Sequence, residues 1–501
     1  MDLATWIERW AAFAPDKAAL ASDGRTLTYR ALAARIAGLV GGLERELGVR
    51  AGDRVAFLGP NRPELVELLF ASARIGAIAV PLNWRLALPE LAYILDHCGA
   101  ALLVCDAAFA ETGAALAEAR PGLRQVRLGT EFDSLAGAAG GRRGARAGPD
   151  SPVLIVYTSG TTGRPKGTVL TQDALFWNAV NSTHMHDLSS ADRVLTSAPM
   201  FHVGGLNIQT LPALHAGAGV ILHRRFDPGA VLAAIARDRP TLTVLVPAQM
   251  AALIGHPGWA ATDLSSLRMV TTGSTIVPHA LIGAFHDRGV PVVQVYGTTE
   301  TAPIAAYLRA EHARDHVGAA GLAAVHCALR LFDDAGREVG AGERGEVWVQ
   351  GPNLMREYWD DAAATEAALA GGWFRTGDIG HLDAAGFLTI VDRKRDVIIS
   401  GGENIYPAEL ERVLADSTAI AEAAVVGRAD ARWGEVPVAV VVAADRGLTE
   451  AAVLGLFSGR IARFKHPKQV LFVDRLPRNA MGKVEKFALR DLVAHPAATD
   501  T

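Results

Sequence analysis

The sequence predicts an α/β protein: a large N-terminal domain of layered α/β subdomains, followed by a small α+β domain at the C-terminal end. Three observations carry this. The chain has 501 residues, more than one hydrophobic core usually serves. From about residue 27 to residue 297, short β-rich runs alternate with amphipathic stretches, the pattern of parallel sheets covered by helices. Near Gly371 the texture changes to Gly-rich turns between short strands, and a charged run then opens a compact final segment.

In chain order, 54–58 reads as a strand and 64–75 as the helix after it, and 242–246 with 248–254 repeats that unit. Residues 136–150 are almost only Gly, Ala and Arg with one Pro, which predicts an exposed connector before a strand over 152–157. Gly371-Gly372, Gly377, Gly380 and Gly386 punctuate the stretch leading to a strand over 387–391. After Asp392 comes Arg393-Lys394-Arg395-Asp396. The rest reads as a strand over 397–400, then a helix opening at Pro407 with Leu410, Val413 and Leu414 along it. Strands over 423–426 and 437–442, a helix over 449–462 and a strand over 470–473 complete it; proline suits a first helical turn. The expected domains are 1–392 and 397–501, joined by a hinge at 393–396, and about 100 residues suffice for the smaller one.

Apolar residues make up 50% of the chain and charged ones 20%, with a net charge of -4. This fits a soluble globular enzyme and gives no electrostatic footprint for nucleic acid. Cys98, Cys105 and Cys327 are too few and too scattered for a disulfide framework or a Cys-based zinc site, so a reducing cytoplasm is expected. Asp2 and Glu8 precede any apolar run, unlike a signal peptide. The apolar stretch 69–82 is short and broken by Arg74, so no membrane insertion is expected.

The longest chemical signal is Tyr157-Thr158-Ser159-Gly160-Thr161-Thr162-Gly163-Arg164-Pro165-Lys166-Gly167. Its glycines and hydroxyls make a loop whose N–H groups and side chains can wrap phosphate oxygens, with Lys166 adding charge. It is not a Walker A loop, because Lys166 lies between Pro165 and Gly167. Shorter stretches follow: Met200-Phe201-His202-Val203-Gly204-Gly205, Tyr296-Gly297-Thr298-Thr299-Glu300 and Trp373-Phe374-Arg375-Thr376-Gly377-Asp378. The charged run leads into Ser400-Gly401-Gly402-Glu403-Asn404-Ile405-Tyr406-Pro407, and Pro477-Arg478-Asn479-Ala480-Met481-Gly482-Lys483-Val484 comes last. Alone, the histidine fits a satisfied core residue, the pentapeptide a strand end with a helix cap, and the aspartate a turn.

Taken together in this order, these segments resemble the adenylate-forming superfamily, which contains AMP-forming acyl-CoA synthetases, luciferases and the adenylation domains of peptide synthetases. The resemblance runs from about Thr26 to Leu489. It implies ATP, Mg²⁺ and coenzyme A as cofactors, and a C-terminal domain that acts as a mobile lid. By this resemblance Thr158, Ser159, Gly160, Thr161, Thr162, Gly163 and Lys166 hold ATP phosphates. The Tyr296 ring packs on adenine, Gly297, Thr298 and Thr299 lie at the nucleotide with the pattern's threonine on the α-phosphate, and Glu300 with Thr158 serves the metal. Mg²⁺ needs few protein carboxylates when phosphate oxygens and waters complete its shell. Asp378 accepts both ribose hydroxyls and Arg393 reaches the ribose; a carboxylate offers two acceptor oxygens. Gly273, Ser274 and Thr275 run beside adenine, while His202, Val203, Gly204, Gly205, Met250 and Ile276 border the acyl pocket. Gly401 and Gly402 face pantetheine, Arg395 takes the hinge position and Lys483 is the adenylation lysine. Lys483, His202, Thr158 and Lys166 are thus the catalytic candidates. One departure is Gly273-Ser274-Thr275-Ile276, where many relatives have Gly-Gly-Ala-Pro; adenine contacts through backbone survive such a change.

The chemistry follows. A carboxylate is a poor electrophile and repels the triphosphate, so cations must stand where charge develops at the α-phosphorus. The resulting acyl-AMP is open to the CoA thiol, so no Ser-His or Cys-His pair is required. Lys483 and Gly401-Gly402 serve different half-reactions from one small domain, which implies a lid rotating about Arg395. Arg463, Lys465, His466 and Lys468 around Phe464, with Trp433 as a stacking face, suit the CoA phosphates or a solvated basic rim. The pocket segments show no Arg or Lys, which predicts a hydrophobic acid, either aryl or phenylpropenoid or a medium-to-long fatty acid. The partners expected are that small carboxylic acid, ATP and CoA, with a homodimer left open. Loading of a carrier-protein thiol is the alternative, although the sequence ends at Thr501 without a carrier module. A luciferase-like oxygenase and a non-catalytic nucleotide sensor are the more distant ones.

Overall fold

A computed structural model describes residues 2–140, 147–158, 165–274, 277–400, 403–430, 433–445, 447–458, 460–461, 463–479 and 482–494. The chain divides into two compact units, one of Met1–Leu329 with Trp348–Arg375, the other of Arg330–Val347 with Thr376–Thr501. The sequence reading places 376–392 with the first domain; by its contacts this stretch belongs to the second unit.

The first unit holds two layered sheets. In one, Ile78–Leu82, Arg54–Leu58, Ala100–Cys105 and Arg124–Arg127 run parallel to Pro152–Thr158. Lys166–Thr171 then pairs antiparallel with Pro152–Thr158, and Glu357–Tyr358 closes that edge. The strand 54–58 and its helix Pro63–Ile75 match the expected unit, with Pro63 in the first turn and Gly76 left-handed at the end. The parallel strands are apolar on both faces because helices cover both. Ala56, Leu58, Ile78, Val80, Leu103 and Ile155 lie in one such core.

The second sheet runs Leu322–Ala323, Ala306–Tyr307, Val292–Tyr296, Met269–Gly273, Leu242–Val244, Arg193–Thr196, Gly219–Leu222, Ala18–Ser22, Arg25–Thr28. Its six central strands are parallel. In sheets of this kind ligand-binding segments collect beyond the carboxyl ends of the strands. Gly273 and Tyr296 each end one of them, and the histidine motif begins four residues after a third, Arg193–Thr196.

In the second unit, Gly434–Ala443 is the central strand, antiparallel to Ile420–Asp430 and parallel to Gln469–Phe472. Its alternation feeds two cores. Ala439 and Val441 pack with Leu410, Val413 and Phe457, while Val438 and Val440 pack with Leu476, Leu489 and Val493. The expected helix over 449–462 is shorter: it spans Glu450–Gly455. Glycine at its end is a poor helix former, and Phe457 is buried beyond it all the same. Of the 136–150 connector, 141–146 lie outside the described residues.

Candidate functional site

The phosphate-loop motif is rooted in a β-hairpin. Thr158 pairs with Lys166 and Tyr157 with Gly167, so both ends of the intervening segment are fixed in register. Ser159, Gly160, Thr161, Thr162 and Gly163 lie outside the described residues, as do Thr275, Ile276, Gly401 and Gly402. The Lys166 ammonium stands 3.5 Å from Asp361 and 5.1 Å from the centre of the Tyr358 ring.

Tyr358 joins this root to the second motif. Its hydroxyl donates to Glu300 Oε1 at 2.7 Å, and the Met355 amide donates to the Glu300 carbonyl at 2.7 Å. A cation over its ring and a carboxylate on its hydroxyl thus bring Lys166 and Glu300 to one aromatic side chain. Tyr358, 58 residues from Glu300, has no spacing rule to announce it; an aromatic pair Tyr358-Trp359 in a polar stretch is the only signal.

Tyr296 ends its strand as a buried residue, and Glu300 sits in the single turn Thr299–Thr301. Between them Gly297 is pressed so closely on Pro303 that a Cβ would overlap its carbonyl oxygen, which restricts the position to glycine. The Thr298 amide donates to Thr301 Oγ1 at 3.0 Å. The Thr298 hydroxyl oxygen is buried and finds no partner among the described residues. Such an orphan suits a phosphate oxygen, and the Glu300 carboxylate keeps acceptor capacity beside Tyr358 for a hard cation. The nucleotide and Mg²⁺ therefore fit the donor set present.

Gly273 closes its strand opposite Val295, and the next residue, Ser274, stands at φ 74. That is the left-handed region a glycine adopts without cost. Here a serine adopts it.

His202 caps the short helix Val203–Leu206, its Nδ1 accepting from the Gly204 amide at 3.0 Å. A neutral ring holding that bond carries its proton on Nε2. Gly205 lies against the Pro199 carbonyl so tightly that a Cβ would collide with it. Val203 is buried, and Met250 is wholly buried in the core beside Leu245 and Val270.

In the second unit Asp378 and Arg393 are cross-strand partners, with Arg393 Nε 2.6 Å from Asp378 Oδ1. Gly377 is left-handed at φ 68, and the Thr376 hydroxyl accepts from the Asp378 amide while donating to the Val347 carbonyl. Asp378, 4% exposed, is thereby fixed by its own neighbours. Lys483 sits exposed on a turn in which Gly482 is left-handed, its amide bonded to Asn479 Oδ1 and its carbonyl to the Asn479 amide.

The helix after it, Lys486–Ala494, is fastened to the residues around the expected hinge. Lys486 Nζ lies 3.0 Å from Glu411, and Arg490 lies 2.8 Å from Asp396 while donating to the Arg395 carbonyl. Burial alone would push the Lys486 ammonium down, but Glu411, Asp392 and Asp396 outweigh it and its pKa stands above the ordinary lysine value. Burial raises the Asp392 carboxyl, opposed by Lys486 and by the amides of Ala408 and Arg393. Sequence reasoning missed this network, since nothing in a Lys or Glu on a helix face tells whether it turns inward.

Of the basic rim, Lys465 is 2.9 Å from Glu409, and the His466 ring bonds to the Ile461 carbonyl. Arg463, Lys468 and Trp433 are exposed; the side chain of Phe464 is outside the described set.

Comparison with known proteins adds to this geometry. Residues 7–359 match the family described as AMP-binding enzyme, and residues 409–483 the AMP-binding enzyme C-terminal domain. The chain is 51% identical over 503 residues to the indoleacetate–CoA ligase of Aromatoleum aromaticum, covering 99% of this chain and 98% of that one. It is 44% identical over 489 residues to the feruloyl-CoA synthase of an Amycolatopsis species, covering 97% and 98%. A solved structure of the O-succinylbenzoate coenzyme A synthetase MenE from Bacillus subtilis, in complex with ATP and magnesium, superposes with a TM-score of 0.86 at 33% identity, over 97% of this chain and 98% of that one.

Proposed function

We infer that this chain, which belongs to the family of AMP-binding enzymes, is an AMP-forming acid–CoA ligase. It activates a carboxylic acid with ATP and transfers the acyl group to coenzyme A. The carrying observation is that the phosphate-loop root, Tyr358 and Glu300 converge in the first unit, while Asp378 with Arg393 and the Lys483 turn are built into the second. Among the acids, we favour an aromatic one, because relatives at 51% and 44% identity are named for indoleacetate and ferulate. The three free cysteines suit a cytoplasmic setting.

In this reading residues 158–163 and Lys166 hold the phosphates, and Asp378 and Arg393 hold the ribose. Bound at Glu300, Mg²⁺ would neutralise phosphate charge. Thr298 and Thr299 orient the α-phosphate, and Lys483 places its ammonium on the oxygens that gain charge as the acid oxygen displaces diphosphate. His202, held by the Gly204 amide, presents Nε2–H toward the acid. Arg395 serves as the hinge for the second half-reaction, in which Gly401 and Gly402 admit the thiol arm and Trp433 with Arg463 and Lys468 meets the CoA nucleotide. Carrier-protein loading has no specific observation in its favour.

The test is purified protein with Mg²⁺-ATP and a panel of acids, assayed for labelled-diphosphate exchange into ATP and for AMP release with and without CoA. Exchange with at least one acid, and an acyl-CoA product when CoA is added, is the expected result; no exchange with any acid would sink the reading. A second expectation concerns the tyrosine. Tyr358→Phe removes the hydrogen bond that orients Glu300, and the Mg²⁺ concentration for half-maximal exchange should rise about 10-fold, as for other outer-shell partners of metal ligands. An unchanged magnesium titration would show that the hydroxyl does not tune Glu300.

A further inference from the structure

The acyl motif is followed at once by two buried carboxamides that the mechanism leaves unused. Asn207 is 0% exposed and Gln209 is 1% exposed. Neither the oxygen nor the nitrogen of the Asn207 amide finds a partner among the described residues, and the Gln209 Oε1 finds none either. Buried polar groups are ordinarily paired, so each such atom calls for a partner that the described residues do not supply.

The orientation of Gln209 is fixed by a chain of hydrogen bonds. His186 Nδ1 is 2.9 Å from the Ser182 carbonyl, which can only accept, so the proton is on Nδ1. Burial holds this histidine well below its ordinary value, at about 4, so the ring is neutral and Nε2 is an acceptor. The Thr271 hydroxyl, 2.9 Å from Nε2, must therefore donate to it. Its oxygen in turn accepts from Gln209 Nε2 at 2.9 Å. Turning the Gln209 amide over would set two acceptors against each other at Thr271. Oε1 is thus an acceptor awaiting a donor.

The place is also defined. Gln209 is tied to Thr271, two residues before Gly273 at the end of its strand. The backbone carbonyl of Asn207 accepts from Asn178 Nδ2 at 2.7 Å, Asn178 Oδ1 accepts from the Ile304 amide, and the neighbouring Ala305 amide donates to the Tyr296 carbonyl. The Gln209 carboxamide and the Asn207 backbone therefore stand among the segments assigned to the acid and to the adenylate, all within the first unit.

We propose that Asn207 and Gln209 form a polar notch of the acid-binding region that accepts a hydrogen-bond donor, a ring N–H or a phenolic O–H, on the tail of the acid. The proposal rests on the acid–CoA ligase reading and names the substrate class within it: donor-bearing aryl acids in preference to all-carbon tails. An acid that brings the donor satisfies Oε1 of Gln209. A hydrocarbon tail leaves it orphaned and pays the desolvation cost, and sites built to pair with a polar group discriminate strongly against analogues that lack it.

The experiment compares acids of matched shape in the diphosphate-exchange and thioester assays: indole-3-acetate with benzothiophene-3-acetate, and 4-hydroxycinnamate with 4-fluorocinnamate. In the wild type the donor-bearing member of at least one pair should have a kcat/KM about 10- to 100-fold higher. In Gln209→Met and in Asn207→Leu that ratio should collapse toward one. Equal kcat/KM for both members of both pairs in the wild type would overturn the proposal, since a buried water then serves these groups. A wild-type preference that survives in both variants would overturn it as well. Should Gln209→Met fail to fold, as judged by its melting transition, the wild-type ratio and Asn207→Leu decide. AMP release without preference defeats only this proposal, whereas no AMP from any acid defeats the ligase reading and the notch with it.

Discussion

Lys483→Ala is expected to lower acyl-AMP formation about 10²- to 10³-fold, the loss seen when one preorganised charge-stabilising group is taken from a transition state. Thioester formation from acyl-AMP supplied ready-made should stay near the wild-type rate. The asymmetry follows from the chemistry: charge accumulates on the α-phosphate oxygens only while diphosphate leaves, and CoA attack relies on a nucleophile that the cofactor brings. The lysine is exposed on a turn fixed by Gly482 and by two hydrogen bonds to Asn479. Loss of its side chain therefore leaves the backbone of the turn intact. Single-turnover measurements of each half-reaction read the two rates separately, and equal loss in both would refute the division of labour.

The largest effect on stability is expected at Lys486→Met. The ammonium lies 3.0 Å from Glu411, with a side chain 18% exposed, and it also faces the raised carboxyl of Asp392. Removing one partner of a buried ion pair leaves the other charges uncompensated and typically costs about 3–5 kcal/mol. Denaturant unfolding followed by a probe in the second unit should show it. The pH dependence has a definite sign. Because the folded-state pKa of Lys486 lies above its unfolded value of 10.5, its contribution is fully present below that pH and is lost as pH rises through the folded value. Wild type should lose stability above about pH 10.5 more steeply than the methionine variant. Parallel curves would show that the network is not what holds these elements.

Much of this was legible in the sequence, and the reasons differ by element. The parallel strands 54–58 and 152–158 stood out as apolar β-rich runs bounded by turn residues. The string over 157–167 was long enough to resist accidental likeness, but the hairpin pairing that roots its two ends is seen only in the structure. The helix over 449–462 was overdrawn, because Phe457 and Ile461 remain apolar beyond its end at Gly455; an apolar period reports burial, and a turn can bury side chains as a helix does. Tyr358 could not be foreseen, since its partners Lys166 and Glu300 are brought to it by strand pairing between 168 and 358. The unpaired amides of Asn207 and Gln209 were equally invisible, because a carboxamide in an apolar stretch reads the same whether or not it finds a partner. Ser274 shows the limit from the other side: the departure from glycine was plain, but only the backbone reveals that the serine is left-handed.

The fastening of the last helix has a mechanical meaning. Arg490 grips the Arg395 carbonyl and Asp396, and Lys486, three residues past Lys483, grips Glu411. Were Arg395 to act as the hinge proposed above, a change of its backbone angle would be passed toward the Lys483 turn through these contacts.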